Sequence, residues 1–156
     1  MKKLLLLFFI LIHGTTFACE KYVIGFKGLR NIFDNQAFIE YTVKKQSCYK
    51  LFSHTEINSA VKFISILKVP YQLYGYSAGA ASVGQTLSLL NKNKITMPEY
   101  VITIGAYKTT DVNFNRYGIK YDNYFDESGQ GQKGPGTMIS NVGHDKIQKF
   151  IVGSLD

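Results

Sequence analysis

The chain has 156 residues, with 18 lysines and arginines against 11 acidic residues and a formal net charge of +7 at pH 7. That length holds one domain with one core and excludes a second. The basic residues are scattered rather than striped, which argues against nucleic acid as a partner and leaves a solvated positive surface, mildly attracted to an anionic envelope or lipid surface.

Met1-Lys2-Lys3 is a positive leader, Leu4 to Ile12 an apolar run too short to span a bilayer, and Thr16-Phe17-Ala18 a small-residue cleavage site. Residues 1–18 therefore read as a signal peptide and 19–156 as a single exported domain, periplasmic or secreted. Cleavage leaves 138 residues at a net charge of +5, because Lys2 and Lys3 depart. No later stretch is long and apolar enough to cross a membrane. Two cysteines remain, Cys19 just before the first expected strand and Cys48 at the start of the second. Export places them where disulfides persist. If the two strands are parallel neighbours, the thiols start side by side, so a Cys19–Cys48 bridge is expected. The alternative is a lipid anchor on Cys19. Thr16-Phe17-Ala18-Cys19 has the small residue before cysteine but lacks the usual aliphatic residue three positions before it.

The rest alternates short β-rich runs with runs of helical period. Tyr22 to Phe26 reads as a buried strand ending in Lys27-Gly28-Leu29-Arg30, followed by a helix from about Asp34 to Lys45. Tyr49 to Phe52 is a second strand. Thr55 then caps a helix whose apolar stripe is Ile57, Ala60, Val61, Ile64 and Leu67. Pro70 bars that helix from continuing. A third strand, Val69 to Tyr74, runs into Gly75-Tyr76-Ser77-Ala78-Gly79, and a helix with Ala80, Val83, Leu87 and Leu90 on one face comes next. Tyr100 to Ile104 is a fourth strand and Ile119 to Phe125 a fifth. Ser128 to Gly136 is a polar loop. A last helix follows His144, with Ile147, Phe150 and Ile151 facing inward. This alternation implies an α/β fold: a doubly wound, mostly parallel five-stranded sheet in the order 2-1-3-4-5, with helices on both faces. Its switch point lies between strands one and three. Ser77 and the Lys27-Gly28-Leu29 turn would meet in that crevice.

A serine between a strand and a helix, inside G-x-S-x-G, is the pattern of a nucleophile elbow. A serine hydroxyl needs a base, and the base needs a carboxylate to hold its tautomer. The order Ser, acid, His selects His144 as base; His54 precedes the serine and reads as structural. Asp111, Asp122, Asp126 and Glu127 compete for the acid. Asp122 alternates inside the strand pattern. Asp126 directly follows the fifth strand and ranks first, Asp111 second and Glu127 third. The oxyanion hole would use the backbone N–H of Ala78, at a helix start, and that of Leu29, with Gly28 as the other choice. Tyr71, Tyr74, Tyr76 and Tyr107 fall near the crevice, as core or rim packing or as the lining of a groove.

These segments resemble the α/β-hydrolase superfamily, and within it the class 3 lipase type, across nearly all of residues 19–156. Phe26-Lys27-Gly28-Leu29 resembles the F-R-G-[ST] oxyanion turn. Leu73 to Ala81 resembles the G-H-S-L-G-G-A elbow. Tyr100 to Ala106 resembles the T-F-G-x-P strand, and Asn123 to Asp126 with Gly143-His144 resembles the acid and base segments. Leu29 and Tyr76 replace the family's hydroxyl residue and elbow histidine, Glu127 stands where proline often follows the acid, and the large lid has no counterpart. The resemblance implies a small, lidless, exported serine hydrolase acting on an acyl ester, short-chain or lipid-associated, through Ser77, His144 and Asp126. A peptidase, amidase or acyltransferase on the same residues is the alternative, as is a non-catalytic binding module on a degenerate hydrolase scaffold. No metal or organic cofactor is implied, since the exported chain would have two histidines and two cysteines, none at ligand spacing.

Overall fold

The computed structural model describes residues 19–29, 34–130 and 132–155. The expected signal peptide, residues 1–18, lies outside the described residues, as does Arg30. In chain order the elements are β1 (Tyr22–Phe26), α1 (Asp34–Lys44), β2 (Cys48–Phe52), α2 (Ile57–Ile66), β3 (Tyr71–Tyr76), α3 (Ala78–Lys92), β4 (Tyr100–Ile104), β5 (Lys120–Phe125), β6 (Thr137–Met138) and α4 (His144–Ser154). Two short 3-10 turns, Asn115–Tyr117 and Glu127–Gly129, flank β5.

The strands form one parallel sheet in the order β2-β1-β3-β4-β5-β6. Its centre is β1, β3 and β4, whose residues are almost all buried. Strands covered on both faces must be apolar on both, which is why these three read as continuous runs rather than alternating ones. On one face Ile24, Phe26, Leu73 and Val101 pack against Ala60 and Ile64 of α2 and Val83, Leu87 and Leu90 of α3. On the other, Val23, Tyr74, Ile102 and Ile104 pack against Phe38 and Tyr41 of α1 and Ile147 and Ile151 of α4. Burying each such Leu or Ile contributes about 1.5–3 kcal/mol, so this double layer fixes where the strand ends stand. The chain leaves β1 toward β2 on one side and returns to β3 on the other, which makes the gap between β1 and β3 the switch point.

Three expectations need correction. The sheet has a sixth strand: Thr137 and Met138 pair with Tyr124 and Phe125 of β5. Two exposed residues after a Gly- and Pro-rich loop carry no periodicity to read. Thr55 does not cap α2. Glu56 is the residue at the cap, and its carboxylate accepts the Ser53 N–H at 2.7 Å, while the Thr55 hydroxyl meets that of Ser53 at 3.1 Å. Phe150 faces outward at 52% exposure. Ile147, Gln148, Ile151 and Val152 form the buried face of α4, and Phe150 lies about 130° around the helix from its centre at 100° per residue.

Cys19 and Cys48 are joined by a disulfide with their Cα atoms 5.8 Å apart. The bridge follows from register: Cys48 sits opposite Tyr22, and its N–H donates to Lys21 O at 3.1 Å. It also occupies the sulfur that a lipid anchor on Cys19 would require. No helix among the described residues is long and apolar enough to cross a membrane.

Candidate active site

The turn between β3 and α3 is built by exclusion. Ser77 has φ 53° and ψ −119°, a backbone state that costs a non-glycine residue about 1–3 kcal/mol. It is held there by its N–H donating to Ile104 O at 2.9 Å and by Ala80 N–H donating to Ser77 O at 3.0 Å. The glycines on either side allow so tight a turn. A Cβ on Gly75 would lie 2.6 Å from Gly79 O, and a Cβ on Gly79 would overlap the Phe26 carbonyl oxygen at the end of β1. The spacing of G-x-S-x-G is thus a steric specification, with one glycine clearing the helix from the strand and the other clearing the helix from β1.

His144 opens α4 and reaches back to the serine. Its Nε2 is 3.0 Å from Ser77 Oγ, and its Nδ1 is 2.7 Å from Asp126 Oδ2. The Tyr76 hydroxyl donates to the His144 carbonyl at 2.7 Å, tying the start of α4 to the end of β3. The imidazole also has two tyrosine rings nearly parallel to it, Tyr76 with centroids 5.7 Å apart and Tyr107 at 4.7 Å.

Asp126 directly follows β5 and caps the turn Glu127–Gly129. Its Oδ1 accepts the Ser128 N–H at 2.8 Å and the Ser128 hydroxyl, while Oδ2 faces His144. The residue is only 3% exposed. Burial pushes its pKa up, but the Ser128 hydroxyl, the His144 ring and the Ser128 N–H together outweigh it, and the carboxyl ends below its ordinary value. The acid is therefore an anion throughout the range in which an imidazole titrates.

The structure brings Ser77, His144 and Asp126 together and keeps the other carboxylates away. Asp111 is turned to a surface loop, paired with Arg116 at 3.1 Å and accepting the Asn113 N–H at 3.0 Å. Glu127 is exposed. Asp122 accepts the Tyr100 hydroxyl lower in the sheet. His54 contributes its backbone carbonyl, which takes the Ser82 hydroxyl at 2.6 Å. Ala78 is the first residue of α3, where helix geometry leaves N–H groups without an intrahelical acceptor. The β1 turn abuts that position, since Phe26 O lies against Gly79; Leu29, two residues past Lys27, is 66% exposed. Tyr71, Tyr74 and Tyr76 are buried core residues, and Tyr107 stands at the rim. Two contributors were not read from the sequence. Ser128 falls at the start of the polar loop expected from the sequence, although Asp-x-Ser is a recognisable side-chain-to-backbone turn. The stacking of Tyr107 on His144 joins positions too distant in the chain for any local pattern to reveal.

A shallow polar hollow of about 350 Å³ opens along β5, lined by Asn115, Tyr121, Asp122, Asn123, Pro135, Gly136 and Thr137. It contains none of the three hydrogen-bonded residues. Among the described residues no three His, Cys, Asp or Glu side chains converge as a metal site.

No protein-family model and no curated protein sequence matches this chain. Solved structures do match, through their architecture. A protein from Xanthomonas campestris pv. campestris assigned to the alpha/beta hydrolase superfamily superposes with a TM-score of 0.57 at 9% identity, covering 87% of this chain and 99% of its own. RedJ, with a PEG molecule bound in its active site, superposes with a TM-score of 0.52 at 9% identity, covering 88% of this chain and 90% of its own. Human thioesterase 2 superposes with a TM-score of 0.50 at 10% identity, over 88% of this chain and 99% of its own. At these identities the likeness is one of fold: sheet and helices are arranged as in α/β-hydrolase proteins.

Proposed function

We propose that the protein is an exported serine hydrolase that cleaves an acyl ester through an acyl-enzyme. The observation that carries this reading is the unbroken hydrogen-bonded series from Ser77 Oγ to His144 Nε2 and from His144 Nδ1 to Asp126 Oδ2, at 3.0 and 2.7 Å. Ser77 Oγ attacks the acyl carbonyl and passes its proton to His144 Nε2. The anionic Asp126 orients the imidazole and stabilises the imidazolium. The negative charge on the tetrahedral intermediate is met by the N–H groups of Ala78 and Leu29. Collapse breaks the bond to the leaving group, which takes the proton from Nε2. Water then attacks the acyl-enzyme by the same route and restores Ser77.

Residues 1–18 are the export signal in this reading and 19–156 the single working domain. The Cys19–Cys48 disulfide supports an oxidising destination. The substrate class is an open-cleft acyl ester of the lidless, class 3 lipase-like kind. A thioester belongs on the same panel, because human thioesterase 2 shares the fold. A fluorophosphonate probe should label the wild-type protein and spare Ser77→Ala. Folded wild type that takes no label overturns the reading. A series of p-nitrophenyl esters of graded chain length then ranks the acyl group, and turnover of amides alone would replace the esterase reading with a peptidase one.

A further inference from the structure

Tyr107 stands just past the end of β4, three residues beyond Ile104. Its ring centroid is 4.7 Å from that of the His144 imidazole, with 21° between the planes. Tyr71, Tyr74 and Tyr76 are buried to 5% exposure or less, whereas Tyr107 is 38% exposed. Core packing explains the first three and does not explain the fourth.

The turn that carries Tyr107 is itself anchored. The Thr110 N–H donates to Tyr107 O at 2.8 Å, and the Lys108 N–H donates to Ser128 O at 3.3 Å. A Cβ on Gly129 would lie 2.5 Å from Ala106 O. The turn that bears the stacked ring thus packs directly against the turn that holds Asp126 and Ser128. The chain also passes close to the imidazole at Gly105, where φ is +67° and a Cβ would lie 3.0 Å from His144 Cε1. Hydrogen bonds at Nδ1 and Nε2 direct the imidazole within its own plane. They resist tilting about the line between the two nitrogens far less. Flat rings against the imidazole supply that resistance, and of the two that lie nearly parallel to it Tyr107 is the nearer, at 4.7 Å against 5.7 Å for Tyr76.

We propose that Tyr107 is a positioning residue for His144, holding the imidazole plane in line with Ser77. The proposal rests on the reading of His144 as the base. The proton moves from Ser77 Oγ to Nε2 and then to the leaving group. Tyr107 exchanges no proton, so its hydroxyl is dispensable and its ring is not.

The test is steady-state hydrolysis of p-nitrophenyl acetate, with the rate of fluorophosphonate labelling, for wild type, Tyr107→Phe, Tyr107→Leu and Tyr107→Ala. Tyr107→Phe should keep kcat within about twofold. Tyr107→Leu and Tyr107→Ala should lower kcat about tenfold and slow labelling by a similar factor, with KM within about twofold, the pattern of a misplaced base. Thermal melts of all four proteins report folding, and the bulky leucine variant stands in if the alanine variant melts early. Wild-type kcat and labelling in Tyr107→Leu or Tyr107→Ala, a change confined to KM, or a phenylalanine variant as impaired as the alanine one overturns the proposal alone. A wild type that takes no label overturns the hydrolase reading and this proposal with it.

Discussion

Ser77 and Asp126 stand at opposite ends of one hydrogen-bonded series, and they are held there by different physics. Ser77 is fixed by exclusion: a strained backbone in a turn whose neighbours have no room for a side chain. Asp126 is fixed by attraction: a buried carboxylate gathered in by two donors from Ser128 and one from His144. A steric fit fails abruptly when an atom is added. A polar one weakens in steps as each donor is removed, and it responds to pH. The two ends should therefore break in distinguishable ways.

The largest effect is expected at the polar end. Asp126→Asn keeps the shape but removes the charge and offers His144 the wrong tautomer. It should lower kcat about 10³- to 10⁴-fold, far more than the accompanying loss of stability accounts for, measured by steady-state ester hydrolysis beside a thermal melt. At the steric end the loss starts in the fold itself. Gly79→Ala places a methyl group on the Phe26 carbonyl oxygen, and neither backbone can yield cheaply. A stability loss of about 3 kcal/mol or more is expected, read from chemical denaturation, and the molecules that stay folded should also turn over more slowly, because relieving the overlap shifts the turn that carries Ser77.

A smaller change sharpens the contrast. Ser128→Ala removes one donor to Asp126 and should cost about 1–2 kcal/mol at neutral pH. The folded-state pKa of Asp126 is depressed, so its stabilisation is complete above the unfolded pKa and is lost as pH falls through the folded value. The substitution raises the folded value toward the unfolded one. The stability gap between wild type and variant should thus be widest near neutrality and close as pH falls below the ordinary carboxylate range. Denaturation curves across that range check it, and a gap that stays constant would remove Ser128 from the acid's support.

The same contrast governs what could be read before the fold was known. The elbow was legible because its steric requirement is local: Gly75, Ser77 and Gly79 are contiguous, and the β3–α3 context surrounds them. The central strands were legible because burial on both faces leaves continuous apolar runs. Asp126 could be ranked but not separated from Asp111 and Glu127, because what separates them is direction in space, with Asp111 turned to Arg116 and Glu127 to solvent. Phe150 misled because one apolar residue on a helix of mixed face does not reveal which side is covered. β6, at two residues, is shorter than any period it could display. Ser128 meets Asp126 through a turn local enough to be written in the sequence as Asp-x-Ser, whereas the Tyr107 ring contact is one that only the assembled sheet brings about.

The disulfide has a consequence for orientation. Because the strands are parallel, Cys19 and Cys48 lie at the N-terminal margin of the sheet, while Ser77 and the rim at Leu29 and Tyr107 lie at the C-terminal margin. Five residues of strand separate the two margins, about 16 Å at the usual rise. The bridge rivets the leading end of the domain to the side facing away from the serine. Whatever holds the protein by the segment before β1 therefore leaves the sheet margin that carries Ser77 facing away from the attachment.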